Sequence, residues 1–513
     1  MSQQDAAIAE VQRAIFAYVA RNDYAGLQDY VIASNEHPDT LVSMVWALLD
    51  APHVRGAYLM AKLLNLNGMV NPVVSFALYC GGKALGNSED VELGKRLLRE
   101  QFDRQPPEMQ KRTYDALEPL ILQQISLALG EPELTQPMLS LLDIVKQVAP
   151  DLRARFDFEA VPVPLDVEDL KVKGRAATRL TPLIGPKEGA PRAPRKAIVA
   201  FREFVFPHFH NSRLLEQGPT MVNCLNGYGW NARFHGLEFN KHEIQDAERV
   251  AAACLAERPD VLILDAVLLH FPRPIELIVE MRKKMPDLKI VGLYFDAWSC
   301  SPKQLRIAGA HFDVIWTVTP DLEHWKMPEI AHKVFQAPLP RGGDFGGPIL
   351  PLQNKLHFSG GIAAYNWHRG IWIAAMRQAN IPIETHMSAF IDDKLPALES
   401  YVAYMRRIAD GRCCINFSMR QNMTTFSLTA RSFEALATGA LLVQESCPEM
   451  DCYFTAGEHY LPFSNFAELR AIANFIAEQP AEAEKIRRAG NAFYRSRYHD
   501  NKIAGYFDQA LYG

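Results

Sequence analysis

The sequence predicts two Rossmann-like α/β domains preceded by an all-α helical N-terminal domain, and three observations lead to this fold class. Residues 1–155 repeat apolar side chains three and four positions apart, as one face of an α-helix requires. From residue 196 onward, short apolar runs alternate with amphipathic stretches, which is the pattern of parallel strands connected by helices. A stretch rich in glycine and proline at 341–354 then interrupts the series, and a second series follows it.

A chain of 513 residues is too long for a single hydrophobic core. Between the helical domain and the first strand, proline, glycine and cationic residues without any periodicity predict an extended linker. The predicted domains are a helical bundle or repeat at 1–155, a linker at 156–195, Rossmann-like domains at 196–345 and 346–485, and a C-terminal crossing helix at 486–513.

The strands of each α/β domain are expected where short apolar runs occur. For the first domain they are Lys196–Phe201, Asn231–Leu237, Val261–Val267, Lys289–Tyr294, Val314–Val318 and Lys333–Gln336. For the second they are Leu356–Ser359, Ile383–His386, Cys413–Phe417 and Ala440–Val443. Helices are expected between them, including Ser212–Leu225, Ile244–Glu257, Pro274–Met285, Pro302–Ala308, Trp367–Gln378, Leu398–Ala409 and Phe466–Gln479.

Composition excludes several classes of protein. With 54 Lys and Arg against 59 Asp and Glu, the chain has no basic field that would suit nucleic acid. The N-terminus lacks the basic and apolar regions of a signal peptide, and no run of about 18 apolar residues predicts a transmembrane segment. Eight scattered cysteines without a CxxC pair indicate reduced, buried thiols. We therefore expect a cytoplasmic protein.

The stretch TARSFEALATGALLV, Thr429–Val443, predicts a helix that begins near Thr429, ends at Gly439 and leads into a buried strand. It follows a predicted strand, and ligands of open α/β sheets bind where strands lead into helices. The helix N-terminus would suit a phosphate, Arg431 could grip it with two hydrogen bonds, and Glu434 could accept from vicinal hydroxyls. The alternative is an ordinary amphipathic helix with a solvated Arg–Glu pair.

A second local signal is FSGGIAAYNWHRG. Gly360 and Gly361 allow a ligand to approach the backbone closely, and Arg369 at the start of the next helix could neutralise a pyrophosphate. The alternative is a tight strand–helix turn with a surface arginine. No GxGxxG fingerprint is present, so a dinucleotide site is not indicated.

The segments RSFEALATGALLVQESCPEM and FTAGEHYLPFSNFAEL resemble the C-terminal, nucleotide-sugar half of GT-B glycosyltransferases of the group 1 type, and most closely the spore-maturation CgeB-like branch. The resemblance covers residues 355–500. It implies a GT-B-like pair of Rossmann-like domains, with Glu434 holding the ribose of a UDP- or GDP-linked sugar and Arg431 facing its phosphates. Related retaining families carry a glutamate eight residues before the ribose glutamate, where this chain has Phe426.

The acceptor side is expected in the first Rossmann-like domain. Asp296, His208 and His210 follow predicted strands and are candidates for the base that takes the acceptor proton. Each is more often a residue that caps a loop or is satisfied in the core. We expect no metal and no cofactor, because arginine side chains and a helix N-terminus can stabilise a diphosphate leaving group.

These features predict a metal-independent glycosyltransferase, a hexosyltransferase, that moves a sugar from a nucleotide sugar to a protein or glycan acceptor. The N-terminal helices would present the acceptor or form a homo-oligomer. Two alternatives stay open: a GT-B-shaped epimerase or hydrolase, and a non-catalytic nucleotide-sugar-binding or scaffold protein with a helical docking domain.

Overall fold

The structure is a computed structural model that divides into two compact units. One unit comprises Met1–Ala160 with Ile362–Asn380, and the other comprises Val161–Gly361 with Ile381–Gly513. The structure describes residues 3–33, 38–50, 53–66, 68–69, 71–103, 155, 157, 159–187, 193–202, 204–205, 213–214, 216–237, 243–266, 272–294, 305–306, 309–319, 323–341, 345, 350–360, 367–386, 397–419 and 426–513.

The described N-terminal part of the first unit is helical, as the apolar period predicts. Val11, Ile15 and Val19 are buried on one face of the first helix. The side chain of Asn71 caps the fifth helix by accepting from the backbone N–H of Val73 at 2.9 Å. The helices are α1 (Gln3–Ala20), α2 (Tyr24–Ala33), α3 (Pro38–Asp50), α4 (Val54–Leu66), α5 (Pro72–Ala84) and α6 (Ser88–Asp103).

The segment expected to be an extended linker contains a docked helix, α7 (Val167–Ala177). Asp166 caps it by accepting from the N–H of Asp169 at 2.9 Å. Gly174 faces Ala456 so closely that a Cβ on the glycine would lie 2.2 Å from the Ala456 carbonyl oxygen. The apolar period of the helix is weak, although Leu170 packs against the hydrophobic core and Arg175 forms an ion pair with Glu458. Part of the predicted linker is therefore packed onto the second unit.

The first α/β sheet contains six parallel strands within the described residues, in the order β4-β1-β5-β6-β7-β8. A short antiparallel pair, β2 with β3, follows its first strand. The strands are β1 (Lys196–Arg202), β2 (Phe204–Val205), β3 (Arg213–Leu214), β4 (Asn231–Leu237), β5 (Val261–Asp265), β6 (Lys289–Tyr294), β7 (Val314–Thr317) and β8 (Val334–Gln336). The helices are α8 (Gln217–Tyr228), α9 (Glu243–Glu257), α10 (Pro272–Lys284) and α11 (Pro328–Ala331).

The second sheet contains five parallel strands within the described residues, in the order β10-β9-β11-β12-β13. Its strands are β9 (Leu356–Ser359), β10 (Ile383–His386), β11 (Cys413–Asn416), β12 (Leu441–Glu445) and β13 (Leu461–Phe463). The helices of this part of the chain are α12 (Trp367–Gln378), which falls in the first unit, and α13 (Ala397–Gly411), α14 (Ala430–Thr438) and α15 (Phe466–Glu478) of the second unit. The predicted fold class, two parallel α/β sheets preceded by helices, is confirmed. The predicted helix Pro302–Ala308 lies largely outside the described residues.

The last two helices, α16 (Pro480–Tyr498) and α17 (Asp500–Tyr512), contact both sheets. Asn491 on α16 donates to the carbonyl of Leu436 on α14 at 2.7 Å. Phe507 on α17 packs on the first sheet, with its ring centroid 4.7 Å from that of Trp316. The C-terminal helices therefore hold the second unit together as one core.

The seven cysteines in the described part of the chain are buried thiols without a disulfide partner. Burial raises the pKa of the Cys414 thiol to about 12. None of the helices in the described residues combines the length and the hydropathy that a membrane span requires.

Substituting Gly174→Val tests the docking of α7. The new side chain would overlap the Ala456 carbonyl, so we expect a destabilisation of about 1–3 kcal/mol. The midpoint of thermal unfolding should fall, and proteolysis within 156–195 should accelerate. Ala176→Val, on the exposed face of the same helix, is the matched control and should leave both measurements unchanged. Equal behaviour of the two variants would show that α7 is not packed against Ala456.

Candidate functional site

The stretch around Thr429 forms the predicted loop–helix–strand unit. Helix α14 ends at Gly439, whose φ of 77° is the left-handed conformation that favours glycine at this position. Every residue from Arg431 to Thr438 is buried. Arg431 and Glu434 are therefore not a solvated surface pair, and each bonds to other partners.

Glu434 is 4% exposed and lies in a cluster of protein donors. Its Oε1 accepts from Nη1 of Arg341 at 3.3 Å and from the hydroxyl of Tyr401 at 3.2 Å. Its Oε2 accepts from the hydroxyl of Tyr404 at 2.8 Å. Arg341 follows the last strand of the first sheet, whereas both tyrosines lie on α13. The buried ion pair thus joins the segment that follows the first sheet to helix α14 beside the second sheet.

Charge and burial act in opposite directions on this cluster. Burial opposes the charge on Arg341, yet Tyr401 and Glu434 hold its pKa above the ordinary value of arginine. Burial and the charge of Glu434 raise the pKa of Tyr401 well above its ordinary value. The arginine therefore stays charged and the tyrosine stays a hydrogen-bond donor.

Arg431 is 6% exposed, and its guanidinium is held from two sides. Its Nε donates to the hydroxyl of Tyr404 at 3.3 Å, and its Cζ lies 5.2 Å above the ring centroid of Phe358. Among the described residues, no acceptor bonds to Nη1 or Nη2. These two nitrogens are the donors that remain for a ligand.

Gly360 gives the guanidinium its space at the end of β9. A Cβ on this residue would lie 2.3 Å from Nη2 of Arg431, and its φ of 152° also disfavours a side chain. Its own N–H donates to the carbonyl of His386 at 3.0 Å. The strand end and the arginine therefore meet where a ligand of an open sheet would bind.

A buried polar network positions the start of α14. Nδ2 of Asn416, at the end of β11, donates to Oγ1 of Thr429 at 2.8 Å and to Oε1 of Gln444 at 2.8 Å. Thr429 occupies the N-cap position, but its hydroxyl makes no capping bond. The first N–H groups of a helix have no partner within the helix, so they remain available to an anion.

Glu216 is a buried carboxyl group that precedes α8. It is 6% exposed, and its Oε2 has no hydrogen-bond partner among the described residues. Burial, with a smaller contribution from the charge of Glu434 and opposed by Arg341, raises its pKa to about 7. This group is therefore able to take or give a proton near neutral pH.

The structure brings together part of the predicted site. Gly360 and Arg431 are in contact, and Thr429 and Glu434 flank them along α14. Arg369 lies on the first turn of α12, in the first unit, and its place in the site stays a prediction. Gly361, His208, His210 and Asp296 lie outside the described residues.

Several residues of the site were not predicted from the sequence. Arg341 opens the stretch rich in glycine and proline that was interpreted only as an interruption between the two series. Glu216 fell within the predicted helix Ser212–Leu225, where nothing distinguished it, and the structure places it at the N-cap of α8. Tyr401 and Tyr404 did offer a signal, because residues three apart on a helix share one face. Asn416 and Gln444 did as well, since polar residues at the ends of otherwise apolar strands require partners.

Comparison with known proteins supports the predicted resemblance. Residues 369–507 match a family model described as glycosyl transferase-like. This confirms the resemblance to glycosyltransferases for that region, while membership of the CgeB-like branch stays a prediction. A comparison with curated proteins finds no match.

Three of the solved structures that are similar to this chain are described by their TM-score, sequence identity and coverage. HepE of Anabaena, in complex with UDP and glucose, has a TM-score of 0.41 and 11% identity, covering 62% of this chain and 99% of its own. Sucrose-phosphate synthase of Thermosynechococcus elongatus has a TM-score of 0.40 and 10% identity, and the match covers 61% of this chain and 98% of the synthase. An O-GlcNAc transferase mutant of Thermobaculum terrenum has a TM-score of 0.36 and 10% identity, and the match covers 99% of this chain and 98% of the transferase.

Substituting Glu216→Gln tests the buried carboxyl. Because the folded-state pKa is raised from 4.5 to about 7, this group's stabilising contribution is largest below pH 4.5 and is lost as the pH rises through 7. The amide does not titrate, so the variant should gain roughly 3 kcal/mol relative to wild type between pH 4.5 and pH 8. Urea unfolding of both proteins at the two pH values measures the difference. A difference that does not change with pH would contradict the raised pKa.

Proposed function

We propose that the chain is a glycosyltransferase that takes a sugar, expected to be a hexose, from a nucleoside diphosphate sugar to a hydroxyl of a protein or glycan. The single observation that carries the proposal is the buried guanidinium of Arg431. Its two terminal nitrogens have no acceptor among the described residues and lie at the end of a strand beside Gly360. The glycosyl transferase-like family match covers the same region of the chain.

A diphosphate suits this place for electrostatic reasons. A buried arginine is costly unless an anion accompanies it, and a guanidinium can give a phosphate two parallel hydrogen bonds. The N-terminus of α14 adds backbone donors and the positive end of the helix dipole. We propose that Arg431 and the first N–H groups of α14 hold the donor diphosphate and stabilise it as it leaves.

Glu434 was predicted to hold the ribose, and its surroundings limit how it could do so. A carboxylate offers about four acceptor sites, and donors from Arg341, Tyr401 and Tyr404 already use three of them. One acceptor site therefore remains for a ribose hydroxyl. We propose that Glu434 contributes a single hydrogen bond to the ribose and that its larger role is to hold the site together.

Four residues are proposed as candidates for the base that takes the acceptor proton. Asp296, His208 and His210 remain candidates from the sequence. Glu216 joins them because it is a buried carboxyl with a pKa raised to about 7, and a general base is most effective when its pKa is near the working pH. The mechanism proposed here uses no metal at the diphosphate.

A non-catalytic nucleotide-sugar-binding protein is the second candidate, and Phe426 favours it. This residue stands where related retaining enzymes carry a glutamate, and it packs against the hydrophobic core and pairs with Met419. Release of nucleoside diphosphate from a nucleotide sugar would separate the two functions, because only the transferase turns its ligand over.

Arg431→Gln tests the donor site. UDP or GDP at about 100 times its dissociation constant should stabilise the wild-type protein by about 2.7 kcal/mol, and the variant should lose most of this effect. Thermal unfolding with and without each nucleotide measures it, with each variant compared to its own ligand-free midpoint. Arg406→Gln, an exposed arginine on the neighbouring helix α13, is the matched control and should keep the wild-type shift.

Arg431→Lys extends the test if glutamine disturbs the fold. Lysine keeps the charge but loses the planar pair of donors, so a smaller nucleotide-induced shift is expected. If Arg431→Gln retains the full wild-type shift, the diphosphate does not bind at Arg431 and the proposed function loses its structural basis.

A further inference from the structure

Three side chains that bind metals well lie side by side on the strands β9 and β10. In the parallel register Glu384 is directly opposite His357, and His386 follows two positions after Glu384. Residues two apart on a strand point to the same face of a sheet. His357, Glu384 and His386 therefore share one face, and one donor atom from each lies within 4.8 Å of the other two.

His357 gives an independent indication that this cluster has a ligand. The side chain is 2% exposed, and neither ring nitrogen has a hydrogen-bond partner among the described residues. Burying polar nitrogens without a partner costs free energy, and most buried polar atoms in proteins are satisfied. The centroid of the His386 ring lies 5.0 Å from that of His357, and the side chain of His386 is half-exposed. A ligand held by this cluster would give the buried ring of His357 a partner.

We propose that this cluster is a Zn²⁺ site, with one nitrogen from each histidine and one oxygen from Glu384 as ligands. Two imidazoles with one carboxylate form a donor set that zinc commonly takes, leaving a fourth position for water. Magnesium and calcium prefer oxygen ligands throughout, so the two histidines select against them. Nothing in the proposed transfer reaction requires this ion.

The two oxygens of Glu384 are already divided in a way that suits a metal ligand. Oε1 faces Nε2 of His386 at 3.2 Å, whereas Oε2 forms an ion pair with Lys355. Zinc can therefore bind Oε1 while Lys355 continues to hold Oε2. Such a partner behind a ligand fixes its orientation.

Closing the site requires only side-chain movement. Tetrahedral zinc with bonds of about 2.0–2.2 Å places its ligand atoms roughly 3.3 Å apart, closer than the present limit of 4.8 Å. Glu384 and His386 are each about 40% exposed, so their side chains have room to shift towards the buried His357. The ion would then join the edge strand β10 to β9 by side chains as well as by backbone hydrogen bonds.

Isothermal titration of the full chain with ZnCl₂, after treatment with a chelator, tests the proposal. We expect one Zn²⁺ per chain for the wild type, a loss of at least about tenfold in affinity for His386→Ala and for Glu384→Gln, and no competition from Mg²⁺. His332→Ala, which removes an exposed histidine elsewhere in the second unit, should bind like the wild type.

Cobalt gives a second readout, because Co²⁺ in a tetrahedral site of nitrogen and oxygen ligands has a strong visible absorption that hexaaqua Co²⁺ lacks. The wild type and His332→Ala should show this spectrum, and His386→Ala should not. Far-UV circular dichroism confirms that the half-exposed variants remain folded. Absence of stoichiometric Zn²⁺ binding by the wild type, or equal binding by wild type and His386→Ala, would overturn the proposal.

Discussion

Arg341 and Glu434 form a buried ion pair on which the arrangement of the candidate site depends. Removing two charges from water is favourable only when both find hydrogen-bond partners, and removal of one partner from such a pair typically costs about 3–5 kcal/mol. Here Tyr401 and Tyr404 supply the additional donors to the carboxylate. The pair connects a segment that follows the first sheet with a helix of the second, so the position of α14 depends on both halves of the unit.

Tyr404 transmits this constraint to Arg431. A tyrosine hydroxyl has one proton, and Tyr404 gives it to Glu434. The hydroxyl oxygen is then left to accept from Nε of Arg431, which turns the two terminal nitrogens of the guanidinium towards Gly360. The buried Arg341–Glu434 pair thus orients Arg431 through the hydroxyl of Tyr404. The hydrogen bonds of Asn416 to Thr429 and Gln444 hold the start of the same helix against the ends of β11 and β12.

Much of the fold was accessible from the sequence because it depends on local patterns. Buried parallel strands are short apolar runs, and Gly439 marked the end of α14 correctly. The partners of Glu434 were not accessible, since Arg341 is 93 residues away in the chain and reaches it only through tertiary packing. Helix α7 was missed for a different reason. Its apolar period is weak because Gly174 makes the closest contact, although Asp166 followed by Glu168 and Asp169 is a recognisable helix start.

The position of a bound nucleoside diphosphate decides whether Arg431 holds the donor. A crystal structure of the full chain with UDP or GDP should place phosphate oxygens within hydrogen-bonding distance of Nη1 or Nη2 of Arg431 and next to the first N–H groups of α14. The Arg341–Glu434 pair and its two tyrosines should remain in place. A nucleotide bound with its phosphates away from Arg431, and with that guanidinium still lacking an acceptor, would contradict the account.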